Sequence, residues 1–172
     1  MKNLLQLIGS SYIFRNLHQI YFKMTNTTYG IFSRLKTGAI FPEASQLDCY
    51  ISFSAIIKYP ERIKFGRGLR VGPECVLGAM GGISFGDNVR LSKGVVVETG
   101  GLNIYDTDPP YKHISKSITI ESGVWVGVNS IILGGVTIGR NAVIGAGSVV
   151  TKSVPENMVF AGNPAKPIKK RG

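Results

Sequence analysis

From Ile118 to Ser153 the apolar positions recur every six residues, in the hexads ITIESG, VWVGVN, SIILGG, VTIGRN, AVIGAG and SVVTKS. The third position of each is Ile120, Val126, Ile132, Ile138, Ile144 and Val150, all β-branched. The first position is Ile118, Val124, Ser130, Val136, Ala142 or Ser148, and the fourth is Gly at Gly127, Gly139 and Gly145. Strand alternation has a period of two and cannot tell a third position from a fifth. A period of six means three alternations and a reset, and the reset predicts a corner. One aliphatic side chain per hexad is expected to point inward and stack on its equivalents. The residue after it is expected at the bend, where Gly tolerates geometries that Cβ forbids. Three short sides make a triangular coil of roughly eighteen residues, each coil burying its face against its neighbours.

The same register extends upstream through Phe65, Val71 and Leu77, each followed by Gly. Two extra residues near Gly81 and Gly82 shift the frame, which resumes at Phe85, Leu91 and Val97. Carried back further, the register places Phe53 and Tyr59 inward. After Val97 the pattern fails until Ile118, and the segment between, NIYDTDPPYKHISKS (Asn103–Ser117), holds Pro109 and Pro110. Prolines cannot join a central ladder, so this segment predicts a loop thrown out from the coil. Residues 1–36 read as helix: Leu17, Ile20, Tyr21 and Met24 fall on one face, with Leu4, Leu5, Ile8 and Tyr12 continuing the logic upstream. Two readings of that face stand. It packs on the solenoid wall or a neighbouring subunit, or it is an interfacial helix at a membrane surface, since Lys2, Arg15, Lys23, Arg34 and Lys36 make it basic. Beyond Ser153 the period is lost, and a strand or turn and a basic outer tail are expected. The expected organisation is therefore a helical segment over 1–36, a solenoid over 37–153 with a loop at 103–117, and a terminal strand and tail over 154–172.

The hexads resemble the hexapeptide repeat of left-handed β-helix proteins. The stretch GAGSVVTKSVPENMVFAGNPAKPIKK (Gly145–Lys170) is similar to the terminal signature of hexapeptide O- and N-acetyltransferases, including galactoside, maltose and polysaccharide acetyltransferases. The resemblance covers about residues 63–171. It implies an all-β chain forming a left-handed parallel β-helix solenoid of about five to six coils with a short N-terminal α-helical segment. It also implies a homotrimer with its site built across subunits, acetyl-CoA as acyl donor, and a sugar hydroxyl or amine as acceptor, in surface-polysaccharide assembly.

Composition narrows the partners. The 172 residues suit one domain, and 44% hydrophobic with 17% charged residues suits a folded, soluble chain. A net charge of +10 admits nucleic acid, an anionic membrane surface or a phosphate-rich cofactor. The interleaved basic and aromatic pattern of a nucleic-acid module is missing, so no nucleic-acid partner is expected. Cys49 and Cys75 form no disulfide framework, and Cys75, at a small-residue position, reads as a buried free thiol. The apolar start is interrupted by Gln6, no apolar run reaches ~18 residues, and a cytoplasmic location is expected, at the inner membrane face under the interfacial-helix reading.

Acyl transfer needs a base, oxyanion donors and a cofactor cradle. The chain has two histidines, His18 in the helical segment and His113 in the extruded loop. Relatives with Asp-Phe-His-Pro or Ser-His-Asp loops would place the base at Pro110 or Ile104. The stretch PYKHISK (Pro110–Lys116) instead resembles the Pro-Tyr-x-His-Ile-x-Lys segment of polysaccharide-type members, which implies His113 as base. Glu98, Asp106 and Asp108 are the carboxylates available to orient the imidazole or meet the acceptor, and the sequence does not choose among them. The resemblance further implies Val128 beside pantetheine, small Ala146 and Gly147 where the chain hugs the cofactor, and Thr151 with Lys152 near the adenosine. It implies Lys169 at the CoA phosphates; Lys166 is a further cation in the same basic tail. Trp125 alternates outward and reads as a groove wall or a subunit contact.

Other solenoid functions fit less well. A γ-type carbonic anhydrase needs three zinc-binding histidines, and no metal site is expected. A sugar nucleotidyltransferase needs a preceding nucleotide-binding domain, and serine acetyltransferases carry a longer helical start. The competing reading from another class is a trimeric scaffold that kept the CoA groove and lost turnover. A small-molecule acetyltransferase, of the antibiotic-modifying kind, is the alternative within the enzyme class.

Overall fold

The computed structural model describes residues 12–172. Leu4, Leu5 and Ile8 lie outside the described residues. Among the described residues the first element is an α-helix, Tyr12–Ile40, of 29 residues. It is neither short nor finished at residue 36, as the sequence pattern had suggested. A 3-10 turn, Pro42–Ser45, follows, and every later element is a short strand apart from a second turn at Pro60–Arg62.

The strands stack into three walls. Along the first wall Tyr50–Ile51, Arg70–Val71, Arg90–Leu91, Trp125–Val126 and Val143–Ile144 lie side by side in parallel, and Met158–Ala161 continues the stack. The second wall holds Ile56–Lys58, Val76–Gly78, Val96–Glu98, Ile131–Leu133 and Val149–Val150. The third holds Ile63–Phe65, Ile83–Phe85, Ile118–Ile120 and Thr137–Ile138, with Val154 bridged to Ile138 beyond them. The chain visits the walls in turn, so it is a parallel β-helix of a little over five coils.

The hexad register decides the core. Ile120, Val126, Ile132, Ile138, Ile144 and Val150 are all buried, and so are the first-position residues Ile118, Val124, Ser130, Val136, Ala142 and Ser148. Two residues per hexad thus point inward rather than the single aliphatic one expected from the sequence, because the first and third positions of a short strand share a face. Cys75 occupies one such position, is buried and unpaired, and donates its Sγ–H to Ser92 O at 3.0 Å. Burial pushes its thiol above the ordinary range.

Two details differ from the sequence reading. Phe53 and Tyr59 are exposed, and the inward register in the first coil belongs to Ile51 and Ile57. The frame slips at the Pro60–Arg62 turn, which inserts residues at a corner just as Ala79–Gly82 does one coil later. Arg62 Nη1 donates to Met80 O across the two insertions at 2.5 Å, so the bulges stack. The second difference concerns glycine. Gly127, after the inward Val126, is not needed for a left-handed backbone: a Cβ there would lie 2.6 Å from Ala146 N of the next coil. The left-handed corner residues fall at the sixth hexad position instead, at Gly123, Asn129, Gly135, Asn141 and Gly147. Gly and Asn are the residues that adopt this region at least cost.

Both ends of the prism are closed. The first coil exposes backbone groups that later coils bond to a neighbour, and the helix supplies side chains for them. Ile51 N donates to Thr37 Oγ1 at 3.1 Å, Phe53 N to Ser33 Oγ at 2.9 Å and Ser54 N to Tyr29 OH at 3.2 Å. Lys36 Nζ donates to the carbonyls of Phe53 and Ala55. Phe41 and Ala44, beyond the helix, are buried against the first coil, with Phe41 edge-on to Phe65. At the other end, Lys166–Lys170 pairs antiparallel with Met158–Ala161 and forms the last strand of the first wall. Its Lys-Pro-Ile-Lys-Lys sequence suits an edge, because proline and lysine discourage further pairing. Arg171 Nη1 donates to Asn141 O at 3.0 Å, which anchors the tail to the prism.

Candidate active site

The second and third walls meet at a corner that swells in three successive coils. Pro60–Arg62 fills it in the first and Ala79–Gly82 in the second. In the third the chain leaves as a hairpin, with Gly100–Leu102 paired antiparallel to His113–Ser115. The extruded segment therefore begins before Asn103 and has strand character at both ends. Its base is fixed from either side. Thr99, buried, donates Oγ1–H to Gly78 O at 2.6 Å and accepts from Gly81 N at 2.8 Å. Lys116 N donates to Thr99 O at 3.0 Å. Gly81 below and Gly134 above leave room for these backbones: a Cβ on Gly134 would lie 2.8 Å from Thr99 O.

His113 stands in the returning strand, opposite Leu102, and is exposed. The carboxylates are placed as follows. Both oxygens of Asp106 serve the loop itself, accepting from Asn103 Nδ2 at 2.7 Å and Lys112 N at 2.9 Å. Asp108 accepts from Thr107 Oγ1 at 3.2 Å. Glu98 ends the second-wall strand and accepts from Gly100 N at 2.9 Å. Among the described residues no hydrogen bond or ion pair joins any of them to the His113 ring. The backbone roles of Asp106 and Glu98 were invisible in the sequence, because they depend on where the hairpin turns.

The residues read as cofactor contacts fall into three groups. Val128, Ala146 and Gly147 share the corner between the first and second walls, where Gly147 N donates to Val128 O at 2.8 Å. All three are exposed, and the space a Cβ of Gly147 would occupy is open. Trp125 lies on the adjoining first wall, points outward, and donates Nε1–H to Ser92 Oγ at 3.0 Å. Thr151 and Lys152 are exposed at the opposite edge of the second wall, above the hairpin corner. Lys166 and Lys169 are exposed on the terminal edge strand of the first wall. A single chain thus puts Val128, Ala146 and Gly147 at one edge of the second wall and His113 with Lys152 at the other. Among the described residues no group of three His, Cys, Asp and Glu side chains is placed to hold a metal.

A three-walled prism built on hexads, with one imidazole on a corner hairpin, is a hexapeptide-repeat protein. Residues 117–152 match the family model described as bacterial transferase hexapeptide (six repeats), and residues 68–99 match that of the hexapeptide repeat of succinyl-transferase. An Escherichia coli (strain K12) protein, assigned by name to lipopolysaccharide biosynthesis O-acetyl transfer, is 33% identical over 152 residues, covering 71% of this chain and 76% of that protein. A galactoside acetyltransferase structure in complex with coenzyme A superposes with a TM-score of 0.65 at 33% identity, over 69% of this chain and 60% of the other. The fold of a hexapeptide-repeat acetyltransferase of Vibrio cholerae O1 biovar eltor matches with a TM-score of 0.73, over 95% and 92% of the two chains, at 23% identity. The chain belongs to the hexapeptide-repeat acetyltransferase family. It spans about half the length of the first curated relatives it matches, galactoside O-acetyltransferases among them.

Proposed function

We propose that the protein transfers an acetyl group from acetyl-CoA to a hydroxyl or amine of a sugar acceptor, in the assembly of surface polysaccharide. The observation that carries this reading is His113 on a hairpin whose base is braced by the coils below and above it. A general base must be held while the acceptor changes, and a hairpin fixed at Thr99 and Lys116 provides that. The relative assigned to lipopolysaccharide O-acetyl transfer supports the polysaccharide role, and the coenzyme A complex of the galactoside enzyme supports the donor.

In this mechanism the imidazole of His113 takes the acceptor's proton as its oxygen or nitrogen attacks the thioester carbonyl. The tetrahedral intermediate collapses with cleavage of the C–S bond, and the imidazolium returns the proton to the departing CoA sulfur. CoA would lie along the corner of Val128, Ala146 and Gly147, in the open space beside Gly147, with Trp125 as a wall. Lys152, Lys166 and Lys169, with Thr151, would meet its phosphates and adenosine.

The two halves of that site lie on opposite edges of the second wall, so it is completed by a neighbouring copy. The outward ladder of that wall favours such contact: Ile56, Val76, Val96, Ile131 and Val149 are apolar, whereas Lys64, Ser84, Thr119 and Thr137 face outward from the third wall. We infer a homotrimer on this basis. The free thiols of Cys49 and Cys75 fit a reducing, cytoplasmic compartment. Thiol release from acetyl-CoA in the presence of candidate sugars, with calorimetry against CoA, tests the reading. His113→Ala is expected to abolish turnover and keep CoA binding. An active His113→Ala protein overturns the assignment, and CoA binding by the wild type without turnover on any sugar favours the scaffold.

A further inference from the structure

The helix Tyr12–Ile40 has two faces, and the prism uses only one. Tyr29, Ser33, Lys36 and Thr37 face the first coil. About half a turn away around the helix, Leu17, Ile20, Tyr21, Met24, Ile31 and Leu35 step along at helical spacing, each more than half exposed. Phe32, at the border of the two faces, meets the exposed ring of Phe53 with centroids 5.6 Å apart, so apolar surface continues from the strip to the first coil.

The charges around this strip are of one sign. The first acidic residue in the chain is Glu43, after the helix has ended. Lys23 and Arg34 are exposed on its flank. Arg34 lines a cleft with Thr37, Asp48 and Cys49, and an adjoining cleft is lined by Asp48, Arg70 and Arg90. Asp48 is already paired with Arg70 at 2.7 Å, which leaves the array cationic. Among the described residues no helix is long and apolar enough to cross a membrane. A second copy of the helix would bring like charges together. An anionic bilayer surface offers hydrocarbon to the strip and phosphate to the cations.

We propose that this helix face docks the protein, lying flat, on an anionic lipid bilayer. The contact is independent of the acyl-transfer reading. Flotation of the whole chain with vesicles of phosphatidylcholine mixed with phosphatidylglycerol, and of phosphatidylcholine alone, tests it. Binding to the anionic vesicles is expected to exceed that to the neutral ones by about tenfold or more and to weaken in high salt. Ile20→Ser combined with Met24→Ser is expected to lose flotation at an unchanged oligomeric state and melting temperature. Lys23→Glu combined with Arg34→Glu, which leaves the strip intact, is expected to lose the preference for anionic vesicles. Failure of the wild type to float overturns the proposal, as does flotation of the Ile20/Met24 variant or an undiminished preference in the Lys23/Arg34 variant. Dissociation of the Ile20/Met24 variant into smaller species also overturns it, because the strip is then a contact between copies.

Discussion

Glycine serves two different needs at neighbouring corner positions. Gly127 has ordinary backbone angles but no room, since the amide of Ala146 passes 2.6 Å from where its Cβ would sit. Gly147 has room but a φ of 66°. The costs should separate accordingly. Gly127→Ala must move backbone and should cost about 2–3 kcal/mol. Gly147→Ala need only tolerate a left-handed alanine and should cost about 1 kcal/mol. Thermal unfolding of the two variants checks this, and equal losses would contradict it. The inward third position and the presence of corners were legible in the hexads. The distinction between crowding and backbone angle was not, because crowding comes from a coil the sequence cannot place. The sixth position, Gly or Asn from Gly123 to Gly147, was the available signal for the left-handed corners.

At the scale of elements, the helix was legible and its contact face was not. The sequence pattern left Leu17, Ile20, Tyr21 and Met24 to the solenoid wall, a neighbouring subunit or a membrane surface; of these the structure rules out this chain's own wall, because the prism is met by the face of Tyr29, Ser33, Lys36 and Thr37. The reason is that the open end of a solenoid presents unpaired N–H and C=O groups, which hydroxyls and an ammonium can satisfy and leucines cannot. Ser33→Ala should leave the Phe53 amide without its partner. A loss of about 1–3 kcal/mol is expected, with faster hydrogen exchange at Phe53. Arg34→Ala, one residue on, is the control and should change neither. The hairpin followed the opposite course: the prolines announced an excursion, and the bracing by Gly81, Thr99 and Gly134 became visible only with the coils stacked.

For the whole molecule, the walls differ in what they show outside. Val96, in the apolar outward ladder of the second wall, is the position at which a charge should matter most to assembly. Val96→Glu is expected to convert the proposed trimer to smaller species in analytical ultracentrifugation and to cost the proposed turnover with it, while the parallel coil remains folded by circular dichroism. Thr119→Glu, outward on the third wall, should leave the sedimentation unchanged. An unaltered trimer in the Val96 variant would place the contact on another wall.

The sequence alone determined the coil, its inward third-position residues from Phe65 onward and the presence of the excursion that carries His113, though not its start at Gly100. A period of six is a local property, imposed by the reset of strand alternation at each corner. The tertiary structure decided the frame of the first coil, where Ile51 and Ile57 replace Phe53 and Tyr59, because a corner insertion is recognised only when strands pair across it. It also decided that Asp106 holds its own loop and that Val128 and His113 lie at opposite edges of one wall. The Asp106 bonds span only three and six residues but depend on where the hairpin turns, and the separation of Val128 from His113 depends on how the walls are stacked.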